Sequence, residues 1–358
     1  MNILVLRLSS LGDVILTSPV YRLLRKKFPS ARIDVLVKKE FADVLRYNPN
    51  INTIIEFGSP RELSLRIIRN ALKLRNYDVV IDLHNSLRTR LLRFGVAQQT
   101  FVIDKDVWKR FLLVKFKANL FEKKISIPEK YIRTLLPLGI KNDDEGSEIY
   151  FPNEVKQTLN SVILSEAKNL SIDENKILRF TQEDKPKKNL IALCPTARHK
   201  TKMWLKENFI QLANVLIEQH NAFIVILAAP NEIDYCESIK SEISNQKSVI
   251  NLAGKISLLE TAAPAALMDL CNVVVTNDSA NLHIASARKK NVVAIFGSSV
   301  EEFGFFPYRT NAKVLQVKNL ECRPCSHIGL EQCPKGHFRC MKEISAEMVV
   351  NVVKEMLE

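Results

Sequence analysis

Short apolar runs alternate with longer amphipathic stretches along most of this chain, and that rhythm constrains its fold more than any other feature. A run too short for a helix yet apolar throughout reads as a strand buried on both faces, and strands separated by helical patterns imply parallel β/α units. In the first half the strand candidates are Asn2–Leu8, Arg32–Val37, Thr53–Phe57, Asp78–Asp82 and Thr100–Ile103, with helical patterns at Val14–Phe28 and Glu62–Arg75. The rhythm then restarts. Leu190–Cys194, Ala222–Ala228, Val249–Leu252, Val273–Thr276 and Val292–Phe296 read as strands, with helices near Lys206–Gln219, Leu258–Asp269 and Ala280–Arg288. The reading is an α/β protein of two doubly wound, Rossmann-like domains facing across a cleft, and 358 residues suit two domains at roughly 100–200 residues each. The expected division is residues 1–150, an interdomain segment 151–188, a second domain 189–345 and a terminal helix within 346–358.

Lys and Arg number 52 against 39 Asp and Glu, a net charge of +13. Such a surplus suits an anionic partner such as a nucleotide phosphate, a nucleic acid or an anionic membrane, and equally a generic solubilising surface. No uncharged apolar run reaches the roughly 18 residues a membrane-spanning helix needs. The apolar opening is interrupted by Arg7 and followed by Asp13 with no small-residue cleavage site, so it reads as a buried strand of a cytoplasmic protein rather than a signal peptide. No helix-turn-helix or aromatic RNA-binding signature occurs, which argues against nucleic acid.

One stretch departs from the β/α rhythm. Paired in reverse order against Asp184–Lys176, Val162–Leu170 can be encoded on the opposite DNA strand at eight of nine positions, Ile163 against Glu183 being the failure. The segment resembles a translated inverted repeat of the kind dispersed in some bacterial genomes. It is expected to be an insertion (162–184) in an interdomain surface loop, where added length is tolerated, carrying no chemistry.

Three motifs carry chemistry. Ser9-Ser10-Leu11-Gly12-Asp13-Val14 joins an apolar strand to a helix, the place where open α/β sheets bind ligands. Gly12 permits a tight turn there, and Asp13 is either a functional carboxylate or a helix cap. No GxGxxG is present, so a dinucleotide site is weakly supported. In Pro195–Leu205, Arg198, Lys200 and Lys202 crowd a strand-to-helix loop that neutralises a diphosphate or is simply solvated. In Val275–His283, Asn277, Asp278 or Ser279 can cap a helix whose free N–H groups and dipole attract an anion. His283 lies one turn beyond Ser279, either reaching that anion or packed in the core.

In this order, these motifs resemble glycosyltransferase family 9, the ADP-heptose:lipopolysaccharide heptosyltransferases. The resemblance also takes in Asp82-Leu-His-Asn-Ser-Leu-Arg88, Lys202-Met-Trp204 and Phe296-Gly-Ser-Ser299, and spans nearly the whole chain apart from the repeat. It implies the GT-B fold, a metal-independent inverting transfer, and a nucleotide-diphosphate sugar donor, ADP-heptose, held by the C-terminal half. The implied acceptor is a lipid-anchored core oligosaccharide of lipopolysaccharide, reached at the cytoplasmic face of the inner membrane. Asp13 matches the family's general base and Lys202 the lysine at the donor phosphate. Asp278, Ser279, Ala280 and His283 match the donor-binding turn, and Glu232 an acidic residue near the donor ribose. Ser9, Ser10, Gly12, His84, Arg88 and Arg198 complete the expected substrate-binding set. Two departures stand out: Thr196 and Ala280 occupy positions where the family commonly has glycine. The resemblance also carries the terminal helix, Ala346–Leu357, back onto the N-terminal domain.

Cys322, Cys325, Cys333 and Cys340 fall within nineteen residues, and such thiolates in a cytosolic protein suit a structural zinc better than disulfides, or else pack a reduced loop. Arg22, Arg25, Lys26 and Lys27 on the first helix are expected either to meet anionic lipid or to form a solvated face. The alternatives to heptosyl transfer are another GT-B sugar-nucleotide enzyme and a noncatalytic sugar-nucleotide-binding protein.

Overall fold

The computed structural model describes residues 1–58, 65–169, 189–255 and 262–358. Its N-terminal half is a five-stranded sheet built from β1 (Asn2–Leu6), β2 (Arg32–Lys38), β3 (Thr53–Phe57), β4 (Tyr77–Asp82) and β5 (Ala97–Val102), in the order β3-β2-β1-β4-β5. Every pairing is parallel, with Leu4 opposite Asp34 on one side and Val80 on the other. Ile3 through Leu6 are fully buried, as a central strand covered by helices on both faces requires. The helices are α1 (Leu11–Ile15), α2 (Ser18–Lys27), α3 (Leu65–Lys73), α4 (Leu87–Arg93), α5 (Val107–Phe116) and α6 (Ile127–Arg133).

The single helix expected over Val14–Phe28 is two. Pro19 has no N–H to give the Ile15 carbonyl, and the Ser18 hydroxyl donates to that carbonyl instead, at 2.9 Å. The chain turns between α1 and α2, which frees α1 to aim its first turn at the cleft.

The C-terminal half is a six-stranded parallel sheet: β6 (Leu190–Cys194), β7 (Phe223–Ile226), β8 (Val249–Asn251), β9 (Val273–Asn277), β10 (Asn291–Phe296) and β11 (Ala312–Gln316), ordered β11-β10-β9-β6-β7-β8. The sequence reading omits β11, a half-buried edge strand whose Ala-Lys-Val-Leu-Gln lacks a continuous apolar run. The helices here are α7 (Asn153–Asn169), α8 (Lys206–His220), α9 (Ile233–Ser241), α10 (Ala262–Leu270), α11 (Ala280–Ala287), α12 (Arg339–Lys342) and α13 (Ala346–Leu357).

Two expectations about the connections are corrected. Residues 162–169 form the end of α7, which packs on α10 and β8 as part of the C-terminal domain. Ile163 is buried in the core with Leu159, and Glu166 pairs with Lys255, so this part of the repeat is not a surface loop. Residues 170–184 lie outside the described residues. The terminal helix α13 packs on α8, β9 and β10 rather than on the N-terminal domain. Its Val349, Val350 and Val353 belong to the same apolar cluster as Val275, Ile295 and Phe209.

Other residues bind the domains together. Ile127 donates to the Gly304 carbonyl at 2.9 Å, and Gly304 has φ +81° with the 125–127 backbone so close that a Cβ would collide with it. Arg22 reaches Asp143, the Gly146 carbonyl and Glu148 in the linker, while Lys289 and Arg309 hold the linker from the other domain.

Ile163→Ala removes a buried side chain between α7 and the C-terminal core, and urea unfolding should show a loss of about 2 kcal/mol or more. An unchanged midpoint would return this segment to the surface-loop reading.

Candidate functional site

The carboxyl end of β1 delivers Arg7, an arginine only 7% exposed at the margin of an apolar strand. One of its nitrogens donates to the Leu83 carbonyl at 2.7 Å and the other pairs with Asp13 Oδ2 at 2.8 Å. Asp13 is the third residue of α1. Its Oδ2 also accepts from the Ser10 hydroxyl at 2.9 Å and the Ser10 backbone N–H at 3.3 Å, the reciprocal half of a capping box. Its Oδ1 accepts from the Tyr131 hydroxyl at 3.2 Å, and that single contact leaves acceptor capacity on this oxygen. Burial alone would raise the Asp13 pKa, but the Arg7 guanidinium and the Ser10 donors together hold it below the ordinary carboxylate value. The carboxylate is therefore ionised throughout the physiological range. Capping thus uses Oδ2, while Oδ1 has only the Tyr131 hydroxyl as a donor.

Cations gather on the same side. Lys105 and Arg110 both feel the Asp13 charge, and burial pushes the pKa of each downward. His84 follows β4, in a turn where the Asp82 carboxylate accepts from the backbone N–H groups of His84 and Asn85. Burial, then Arg7 and Lys105, lower its pKa to about 4, so the ring is neutral. The His84 Nδ1 and Arg110 Nε atoms are buried without a hydrogen-bond partner among the described residues.

In the C-terminal domain, Asn277 at the end of β9 fixes the Pro195–Trp204 loop. Its Oδ1 accepts from the Trp204 N–H at 3.0 Å and its Nδ2 donates to the Pro195 carbonyl at 2.9 Å. Trp204 is buried, donates its indole N–H to the Ile344 carbonyl at 2.8 Å and packs edge-on against Phe209. With the loop anchored, Lys202 Nζ sits 2.7 Å from Asp278 Oδ2, which also accepts from the Ser299 hydroxyl at 2.7 Å. Ser279 begins α11 without capping it by its side chain, so first-turn N–H groups are available to an anion. Ala280 takes an ordinary helical conformation, and the departure from glycine there carries no backbone strain.

His283 joins the two halves. α1 packs on α11, and a Cβ built on Gly12 would lie 2.6 Å from the His283 ring. His283 feels Asp278, Asp13 and Lys202, yet burial dominates and lowers its pKa to about 4. It is a neutral ring at the domain junction rather than a cation for a diphosphate, and its Nδ1 has no partner among the described residues.

The structure thus gathers Ser10, Gly12, Asp13 and His283 at one locus, with Ser9 adjoining in the chain, and Lys202, Asp278, Ser279 and Ala280 at a second, with His283 between them. Glu232 lies in the turn after β7 and accepts from its own Ala229 N–H. Arg198 and Arg88 are exposed and reach neither locus through a described contact. Of the first-helix cations, Arg22 is engaged inward with the linker acids, Lys26 pairs with the same acids at the surface, Arg25 holds the Pro29, Ala31 and Asn50 carbonyls and the Asn52 side chain, and Lys27 is exposed. Cys322, Cys325 and Cys333 lie in a loop and Cys340 in the short α12 that follows, where its pKa is raised to about 12 by burial and then by its thiol neighbours. The Cys325 thiol donates to the Cys322 carbonyl, and among the described residues no three His, Cys, Asp or Glu side chains converge as metal ligands do.

The sequence reading assigns no site role to Arg7, Tyr131, Lys105, Arg110 or Ser299, and gives Asn277 only as a candidate helix cap. Arg7 is visible as a charge ending an apolar strand, and Ser299 lies in a segment carrying the resemblance. Tyr131 is brought to Asp13 by a helix 118 residues away and leaves no local signal.

Against known proteins, the model of glycosyltransferase family 9 (heptosyltransferase) matches residues 156–335, half of the chain. The chain belongs to glycosyltransferase family 9. It is 25% identical over 332 residues to lipopolysaccharide heptosyltransferase 3 of Escherichia coli K12, covering 88% of each sequence. Among solved structures, a family 9 glycosyltransferase from Veillonella parvula superposes with a TM-score of 0.77 at 24% identity, over 99% of this chain and 97% of that one. The E. coli ADP-heptose lipopolysaccharide heptosyltransferase II gives 0.70 at 20% identity, over 100% and 98%. The fold is GT-B, and this family 9 member is a glycosyltransferase.

Because His84 and His283 have folded-state pKa values near 4, the unfolded chain binds protons that the native state excludes as pH falls below about 6.5. Thermal stability should therefore decline from about pH 6.5 toward 4. Scanning calorimetry should show a shallower decline in His283→Gln, and an identical slope in that variant would locate the proton uptake elsewhere.

Proposed function

We propose that this glycosyltransferase moves a heptose from ADP-heptose to the inner core of lipopolysaccharide with inversion at the anomeric carbon. The observation that carries the reading is an ionised Asp13 on one side of the domain junction, with Lys202 and the uncapped start of α11 on the other. The heptose and the acceptor are supported by the similarity to E. coli lipopolysaccharide heptosyltransferases.

An acceptor hydroxyl is a weak nucleophile at neutral pH, and its proton must leave as the bond to the anomeric carbon forms. Asp13 Oδ1 takes that proton in this reading, while Arg7, Ser10 and Tyr131 keep the carboxylate ionised and aimed. A low pKa makes Asp13 a modest base. Proton transfer therefore belongs late in the displacement, once bonding to carbon has made the hydroxyl acidic. Charge accumulates on the departing nucleotide diphosphate, where the Lys202 ammonium and the α11 N–H groups stabilise it. Asp278 and Ser299 hold Lys202 in place. Arg7, Lys105 and Arg110 line the Asp13 side, so the acceptor presents an anionic group there, such as a carboxylate or phosphate. The acceptor lies in the inner membrane, and transfer takes place at its cytoplasmic face. No helix among the described residues is long and apolar enough to cross a membrane.

For the C-terminal loop, the four closely spaced cysteines support a structural zinc. Closing such a site takes a rearrangement that brings Cys322, Cys325, Cys333 and Cys340 together. Elemental analysis of the purified protein should find about one zinc per chain, since a structural site takes a single ion. Its absence would leave the loop as four packed thiols.

Asp13→Asn keeps the size of the side chain but removes the base, so kcat should fall at least about 100-fold with ADP affinity changed only a few-fold. Lys202→Ala should instead weaken ADP-heptose binding as well as turnover. Thermal shifts should be larger with ADP-heptose than with GDP- or UDP-sugars, because a ligand bound by the native state stabilises it. Normal turnover by Asp13→Asn would remove the base assignment. Equal stabilisation by UDP-sugars would remove the donor.

A further inference from the structure

Helix α5 has two unlike faces. Arg110 is close enough to feel the charge of Asp13, whereas Val107, Trp108, Phe111 and Phe116 are exposed at 64, 68, 43 and 62%. These aromatic rings touch one another. Trp108 stacks on Phe111 with centroids 5.5 Å apart, Phe111 meets Phe116 edge to face at 6.1 Å, and Lys115 lies over Phe111 and Phe116 at 5.7 and 5.8 Å. Scattered exposed apolar residues need no explanation, but a row of contacting rings on a water-facing helix does.

Charge narrows the choice of partner. From 107 to 124 the chain carries six cationic side chains against Glu122 alone. No carboxylate pairs with Lys115 or Lys123 among the described residues. Aromatic rings flanked by lysines suit the boundary between lipid headgroups and acyl chains, where the rings enter the apolar margin and the ammonium groups meet phosphates. At ten residues α5 is far too short to cross a bilayer, so it must lie along the surface. Its end is fixed, because Lys117 donates to the Cys322 and Pro324 carbonyls at 3.1 and 2.7 Å. Helix α4, which leaves the neighbouring strand, also exposes Leu87 and Leu91, and Phe94 just beyond its end is exposed as well.

We propose that α5 and the segment to Lys124 dock on an anionic lipid bilayer, Trp108, Phe111 and Phe116 entering the headgroup boundary and Lys115 and Lys123 meeting lipid phosphates. This relocates membrane contact from the first helix, where Arg22, Arg25 and Lys26 are paired with the protein, to the helix that carries Arg110. A lipid-anchored acceptor then reaches the carboxylate without leaving the membrane. That benefit rests on the acceptor proposed above, but the docking does not.

The chain carries its own reporter, having two tryptophans of which Trp204 is only 1% exposed. Vesicles of phosphatidylcholine with phosphatidylglycerol should blue-shift the emission of Trp108 and shield it from iodide, and pure phosphatidylcholine should do so weakly. Lys115→Glu should weaken binding to the mixed vesicles by roughly tenfold. Phe111→Ser combined with Phe116→Ser should abolish the shift while leaving the melting temperature and turnover of a soluble, delipidated acceptor unchanged. The same double variant should turn over a vesicle-bound acceptor more slowly. No shift with either vesicle, or equal binding to both, overturns the proposal. So does a lipid-free, concentration-dependent shift with a heavier sedimenting species, which would make a second copy of the chain the occupant. Transfer to neither acceptor despite normal vesicle binding would count against the proposed reaction alone.

Discussion

The pairing of Arg7 with Asp13 underlies the rest of the site. A guanidinium at the end of a buried strand is costly unless its charge is matched and its donors are used, and the Asp13 carboxylate and Leu83 carbonyl meet both needs. The benefit runs both ways. Burial pushes the Asp13 pKa upward, and the guanidinium beside it reverses that push. Loss of Arg7 would leave a carboxyl drawn toward its neutral form in the very place where an ionised oxygen is wanted. The hydroxyl of Tyr131, whose ring lies under the guanidinium, adds a second restraint from α6.

Through α6 the pair is coupled to the other domain. Ile127 at the start of that helix donates to the Gly304 carbonyl, and Gly12, next to Asp13, lies against His283. Both contacts depend on a missing side chain, because a Cβ at position 304 would collide with the 125–127 backbone and one at position 12 with the His283 ring. One apolar cluster also runs across the junction, taking in Leu11 and Val14 from one domain and Leu282 and Ala285 from the other. His283 fits such a junction because burial keeps it neutral, so it adds no charge between Asp13 and Lys202.

Much of the site was legible because open α/β sheets put function where strands end. The segments after β1, β6 and β9 stand out as loops bearing Asp13, Lys202 and Asp278, since polar and charged residues there interrupt apolar runs. Less legible were residues whose role depends on a distant partner. Tyr131 looks like an ordinary helix tyrosine until α6 is laid against α1, and Asn277 looks like a helix cap until its amide is found holding Trp204 and Pro195. Arg22 and Arg25 misled in the opposite direction. A cluster of cations reads as a surface, yet linker acids and loop carbonyls take up their donors.

The sequence by itself determined the two parallel sheets, the order of most of their strands along the chain and the loops that carry the chemistry. These follow from local apolar period and turn chemistry, both properties of neighbouring residues. Only the tertiary structure decided that Ile163 is core, that α13 packs on α8, and that α5 turns Arg110 toward Asp13 and its aromatic rings toward water. An amphipathic helix has an apolar face whatever it packs against, and which surface receives that face is set by long-range packing rather than by the helix's own residues. The state of Asp13 was decided the same way, because a carboxyl group's pKa is fixed by its burial and by the charges and donors around it, here Arg7 as well as the nearby Ser10.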